Sequence, residues 1–256
     1  MNVVRAARLG GIGHLTLARP EKKNALDRQM VDEIVQALES LANDGETRVV
    51  LLDAEGDDFC AGADLEALAA LLDADREAQL DDARALGRVF TTIRQLRVPL
   101  VAAVRGRAFA GGAGLATACD IVLAHPNATF AYPEVRLGFV PAMVMNILRR
   151  LVTERQAFDL AVTGRSLSAT EAEAMGLVSR VLSAKAFETE VDEVCQTIAN
   201  FPADAVRRTK KLFYELDGRP FDSGIAHGAQ ANAEARMTDE FREGVRKFLQ
   251  RKRGAS

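Results

Sequence analysis

The chain has 256 residues, 48% of them hydrophobic, and a formal net charge of −3. That length suits one large domain, or a domain with a helical appendage. The charge balance excludes a basic field for nucleic acid. With two tyrosines and no tryptophan there is no stacking platform for single strands, and no apolar run nears the roughly 18 residues of a membrane span.

In chain order, the opening MNVVRAARLGGIG has no charged start followed by an apolar core, so no signal peptide is expected. HLTLA (His14–Ala18) predicts a strand. Ala25–Ala42 carries Met30, Val31, Ile34, Val35, Leu38 and Leu41 at helical spacing. VVLLD (Val49–Asp53) predicts a buried strand. A long helical stretch from Leu65 to Arg97 follows, with a break expected near Asp73–Asp75. VPLVAAV (Val98–Val104) predicts another buried strand, and Asp120–Ala124 and Thr129–Tyr132 two shorter ones. Short apolar strands alternating with helices predict an α/β domain whose sheet is covered on both faces. Strands become sparse after Val140. Helices are expected over Ala186–Asn200, Ala203–Leu216, Phe221–Arg236 and Thr238–Arg253, which divides the chain into a core, 1–194, and a helical region, 195–256.

Cys60, Cys119 and Cys195 are odd in number and unpaired by spacing, which fits a reduced, cytoplasmic setting. His14, His125 and His227 have no metal-ligand spacing, so no metal is expected. His125, before Pro126–Asn127, reads as a turn residue.

Two loops stand out. CAGADL (Cys60–Leu65) and AGGAG (Ala110–Gly114) each follow a buried strand and lead into a helix. Such loops expose N–H groups the helix cannot use, and small residues allow close approach. Alone, each reads first as a tight turn; together they could aim two donors at one oxygen. Neither reads GxGxxG or GK[ST], which disfavours nucleotide binding. Asp64 reads as a helix cap or as an acid shaping its loop.

These segments resemble the crotonase, or enoyl-CoA hydratase/isomerase, superfamily. RPEKKNAL (Arg19–Leu26), FCAGADL (Phe59–Leu65), VRGRAFAGGAGLATACDIVLA (Val104–Ala124), TGRSLSATEAEAMGLVSRV (Thr163–Val181) and DEFREGVRKFLQRKR (Asp239–Arg253) follow the family's landmarks in order. The resemblance implies a spiral of ββα units with C-terminal helices that trimerise, the trimers often pairing into hexamers. It implies an acyl-CoA thioester as substrate, with coenzyme A part of that substrate and no separate cofactor. By position, the Ala63 and Gly111 amides resemble the two oxyanion-hole donors. Ala61, Leu65, Gly112, Gly114 and Tyr132 fall among substrate-binding positions.

Hydratases of this family carry two glutamates. Glu134, in FAYPEVRLGF, matches the second; Gly114 stands where the first would be. Two carboxylates suit water addition, whereas one can move a double bond by taking a proton from one carbon and returning it to another. The YPEVRLGFVPAMV segment nevertheless resembles members labelled hydratase. Hydration through an enolate is therefore the leading expectation, Δ3,Δ2-enoyl-CoA isomerisation the alternative, and a non-catalytic acyl-CoA-binding relative the third. Glu134 has a structural alternative too, an ion pair with Arg136 or Arg107. Arg107 could face an acidic acyl end or pair with an acid. Arg242, Arg246, Lys247, Arg251, Lys252 and Arg253 resemble a last helix that reaches a neighbour's CoA phosphates, or form a solvated basic face. Cys119, Met143 and Met145 read as core or pocket lining.

Overall fold

A computed structural model describes residues 2–254, with side chains through Lys252; the Arg253 side chain lies outside the described set. The main sheet forms where the apolar runs predict it. β2 (Ile12–Leu17), β3 (Val49–Ala54), β4 (Leu100–Val104), β6 (Ile121–Ala124) and β9 (Arg180–Val181) run parallel. β1 (Val4–Leu9) closes one edge antiparallel to β2. A smaller sheet joins β5 (Arg107–Phe109), β7 (Thr129–Ala131) and β8 (Ser166–Ser168). Successive strands feed the two sheets in turn: β4 then β5, β6 then β7, β8 then β9.

Side-chain alternation explains the double covering. Val50, Leu52, Leu100, Ala102 and Val104 face one core cluster, with α1 (Arg28–Asn43) and α3 (Arg76–Gln95) against it. Val49, Leu51, Val101, Ala103 and Leu123 face a second cluster, closed by Phe187, Val191 and Cys195 of α8 (Phe187–Ala199). α1 buries Met30, Val31, Ile34, Leu38 and Leu41, one face at helical spacing, and starts where Asp27 accepts from Met30 N at 2.8 Å. The expected break separates α2 (Leu65–Ala70) from α3, which Asp75 caps by accepting from Ala78 N at 2.9 Å.

α4 (Gly111–Ala118) lies beneath α5 (Ala142–Leu151), and α6 (Glu154–Thr163) and α7 (Ala169–Met175) complete the core. The last helices, α9 (Ala203–Glu215), α10 (Phe221–Arg236) and α11 (Asp239–Gly254), follow. One pin fixes α9 to the core. The buried Lys210 ammonium donates to Ile93 O and Val98 O at 3.0 Å and to Asp120 Oδ2 at 2.7 Å. Asp120 also accepts from Tyr214 Oη and Leu100 N, each at 2.7 Å.

Four strands went unforeseen. β1 exposes five of its six residues, so it shows no apolar alternation. β5, β8 and β9 span three residues or fewer and are defined by their neighbours' hydrogen bonds. Among the described residues no helix is long and apolar enough to cross a membrane.

Candidate active site

The two glycine-containing loops lie side by side. Cys60 bridges to Ala108, and Phe109 N donates to Cys60 O at 3.0 Å. Gly62 has φ +96°, open to glycine, and a β-carbon there would stand 2.9 Å from Phe109 O and 3.5 Å from Gly111 N. Gly112 backs onto Cys60 so closely that a β-carbon would overlap its sulfur and carbonyl. Ala110, just before α4, is held at φ +49°, a strained conformation for a residue with a side chain. Its N–H donates to Ala131 O at 2.8 Å, tying the start of α4 to the end of β7.

That seam brings in the third segment. Three residues beyond Ala131, Glu134 opens a short 3-10 turn, Glu134–Leu137, that Gly138 closes at φ +71°. Glu134 is 9% exposed, and its Oε2 has no hydrogen-bond partner. Burial pushes its carboxyl above the ordinary range. The ion pairs that could have explained it are occupied elsewhere. Arg107 binds Asp58 bidentately (2.6 and 2.7 Å), and Arg136 donates to Gly164 O at 2.9 Å.

Among the described residues, neither the Ala63 nor the Gly111 N–H donates a hydrogen bond within the chain, although Asp64 N and Ala110 N beside them do. Leu26 N donates to Gly62 O at 2.8 Å and Asp64 N to Leu26 O at 2.9 Å, leaving Ala63 N–H between them unused. Gly111 is the first residue of α4, where an amide has no partner in its own helix.

The other expected positions separate. Ala61 N is bound to Lys23 O at 3.0 Å. Leu65 is 60% exposed at the start of α2. Gly114 is buried under α5. Tyr132 is wholly buried in the main core, its hydroxyl 3.4 Å from Thr117 Oγ1, with no surface left for a ligand. Burial, with the Glu134 charge nearby, pushes its phenol up to about 12. His125 sits in its turn, Nδ1 2.6 Å from Asn127 Oδ1. Burial also raises Cys60, to about 12, which leaves its thiol unreactive.

Asp64 takes both roles read from its position. Its Oδ1 caps α2 by accepting from Glu66 N at 2.9 Å and Ala67 N at 3.3 Å, and its Oδ2 meets Arg19 at 2.6 Å. Burial alone would raise its pKa, but Arg19 and these amides hold it below the usual carboxylate range.

Two supports escaped sequence reading. Asn24, fully buried, accepts from Arg19 N and donates to Glu55 O and Asp58 O, all at 2.9 Å. The Asp58–Arg107 pair clips together the segment before CAGADL and the strand β5 that leads into AGGAG. Asn within RPEKKNAL was visible, but its partners are carbonyls 31 and 34 residues away. Two amides without partners, on loops tied through Ala110 to the segment that carries Glu134, with its one unpartnered carboxyl oxygen, are the groups a reaction needs if it develops charge on an oxygen while a proton moves at carbon.

Comparison with known proteins agrees in scope. A profile of the family described as enoyl-CoA hydratase/isomerase matches residues 8–255. A Thermus thermophilus protein provisionally named an enoyl-CoA hydratase is 39% identical over 244 residues, 95% of this chain and 96% of that one. The solved structure of an enoyl-CoA hydratase from Mycobacterium smegmatis superposes with a TM-score of 0.94 at 32% identity, covering 98% of this chain and 97% of that one. Human enoyl-CoA hydratase domain-containing protein 3 superposes with a TM-score of 0.94 at 28% identity, covering 97% and 98%.

Proposed function

The chain belongs to the enoyl-CoA hydratase/isomerase family, and from that premise we propose that it moves the double bond of an enoyl-CoA thioester through an enolate, with Glu134 as its one acid–base group. The observation that carries this reading is the buried Glu134 carboxylate, which has an oxygen without a partner and no second acid at Gly114. Its Oε2 removes a proton from C2 of a 3-enoyl-CoA. The electron pair moves onto the thioester oxygen, where the Ala63 and Gly111 N–H groups receive it. The protonated Glu134 then returns the proton at C4, leaving the double bond between C2 and C3. Burial helps both halves, because a raised pKa makes the carboxylate a better base at carbon. The two amides, which have no partner within the chain, would bind the enolate more strongly than the starting carbonyl, each contributing ~3–4 kcal/mol to the transition state.

Hydration is the second reading, favoured by the names of the relatives. In it Glu134 alone would activate the water. The chain's substrate would be the acyl-CoA thioester itself, with no further cofactor, and the exposed faces of α9–α11 would join copies into a trimer or a hexamer.

The test incubates the protein with a 3-enoyl-CoA, crotonyl-CoA and 3-methylglutaconyl-CoA and follows the products by mass and chromatography. A mass-neutral shift of the 3-enoyl-CoA to its 2-enoyl isomer is the expected result. Gain of one water by crotonyl-CoA or 3-methylglutaconyl-CoA, without isomerisation, would replace the first reading by the second. Binding of all three with no turnover would point to a non-catalytic acyl-CoA-binding protein.

A further inference from the structure

We infer that Val144 is the residue that restricts this site to a single carboxylate, by occupying the space any side chain at position 114 would need. This deepens the reading above and rests on it for its consequence in catalysis, but the geometry is independent of that reading. Gly114 is buried in α4, directly under α5. A β-carbon built on Gly114 would stand 3.2 Å from Val144 Cβ and 3.2 Å from Phe90 Cζ. It would come closer than 3.0 Å to Val144 Cγ1, a separation that real side chains essentially never show. Val144 has no room to yield: it is 4% exposed and belongs to the main core with Phe90 and Leu148. Nearby, Met143 approaches Gly87 of α3, so its sulfur would lie 3.4 Å from a β-carbon there. The ceiling over the glycine loop is thus hydrocarbon contributed by two helices.

Gly114 is therefore more than a missing acid. The missing side chain and the valine above it form a complementary pair, and close-packed interiors do not accept an added atom without strain. A glutamate introduced at 114 alone has nowhere to go. The chemistry available to Glu134 is set by a residue ten positions further along, on another helix.

The first arm of the test measures stability. In a helix interior, glycine to alanine normally stabilises. The interlock reverses that sign. Gly114→Ala is expected to lower Tm by several degrees, Val144→Ala to lower it through the lost methyl groups, and the double variant to lose clearly less than the two single losses combined. A Gly114→Ala variant as stable as the parent, or simple additivity of the pair, would overturn the inference.

The second arm reads the reaction. Gly114→Glu in the Val144→Ala background is expected to raise the ratio of water addition on crotonyl-CoA to isomerisation of a 3-enoyl-CoA at least tenfold over the parent. Gly114→Glu alone should not. The same gain without the valine substitution, or no gain with it, would remove Val144 from its assigned role. If the parent turns over neither substrate, the proposed function fails while the Tm cycle still decides the interlock.

Discussion

At the scale of single residues, the site depends on groups that have been denied partners. Glu134 is buried with an unpaired oxygen, an arrangement that costs stability. Because its folded pKa lies above its unfolded value, whatever stability it contributes is present at acid pH and is lost as pH rises through the folded pKa. Glu134→Gln removes that loss, so the variant should fall at least ~100-fold in kcat while its Tm at neutral pH is no lower than the parent's. A large fall in Tm would recast Glu134 as structural. In the parent, kcat/KM should decline on the acid side with an apparent pKa above the ordinary 4.5. A limb at or below that value would mean that burial does not tune the base. Asn24 is the opposite case, a buried amide with every partner supplied. Asn24→Ala leaves two carbonyls and an N–H unmet, and should cost about 3 kcal/mol in denaturant unfolding. A cost below about 1 kcal/mol would show that these bonds are easily replaced. Both residues lie in segments that sequence reading had marked. Only Glu134 received a role, because its place in FAYPEVRLGF matches the second glutamate of the family the chain resembles, whereas the partners of Asn24 are distant carbonyls that nothing local announces.

At the scale of elements, the donor loops and their flanking helices were legible because small residues and apolar runs carry their own signal. The frame that holds the loops together was not. Asp58 and Arg107 are 49 residues apart, and nothing local marks them as a pair. The same applies to the attachment of α9, where Lys210 sits on the apolar side of an ordinary amphipathic helix and meets carbonyls 117 and 112 residues earlier. Lys210→Ala should destabilise the fold by about 3–5 kcal/mol, because Asp120 would keep its charge in a partly buried setting. Hydrogen exchange should then quicken in α9 before the main sheet. Uniform exchange across the chain would instead show that α9 is not a separable element.

At the scale of the whole molecule, the main core is double-sided and well covered, but the last three helices are not. Phe213, Phe221, Ile225 and Phe248 are each more than 60% exposed, on helices whose other faces are charged. Large apolar side chains left exposed on three successive helices are what a contact with another macromolecule would bury. The expected partner is the chain itself. Sedimentation should give a trimer or hexamer, and Phe221→Glu with Phe248→Glu should shift it toward single chains. A parent that sediments as one chain at micromolar concentration would contradict this.

The Lys210 pin also bears on the order in which the protein is made. The carbonyls of Ile93 and Val98 and the carboxylate of Asp120 emerge from the ribosome long before the side chain that satisfies them. Domains tend to fold from the N-terminus as they are synthesised, but here the end of α3 and the starts of β4 and β6 stay without their ammonium partner until α9 arrives. During that interval every strand of the main sheet has been made, yet the polar groups that Lys210 will satisfy can be met only by water.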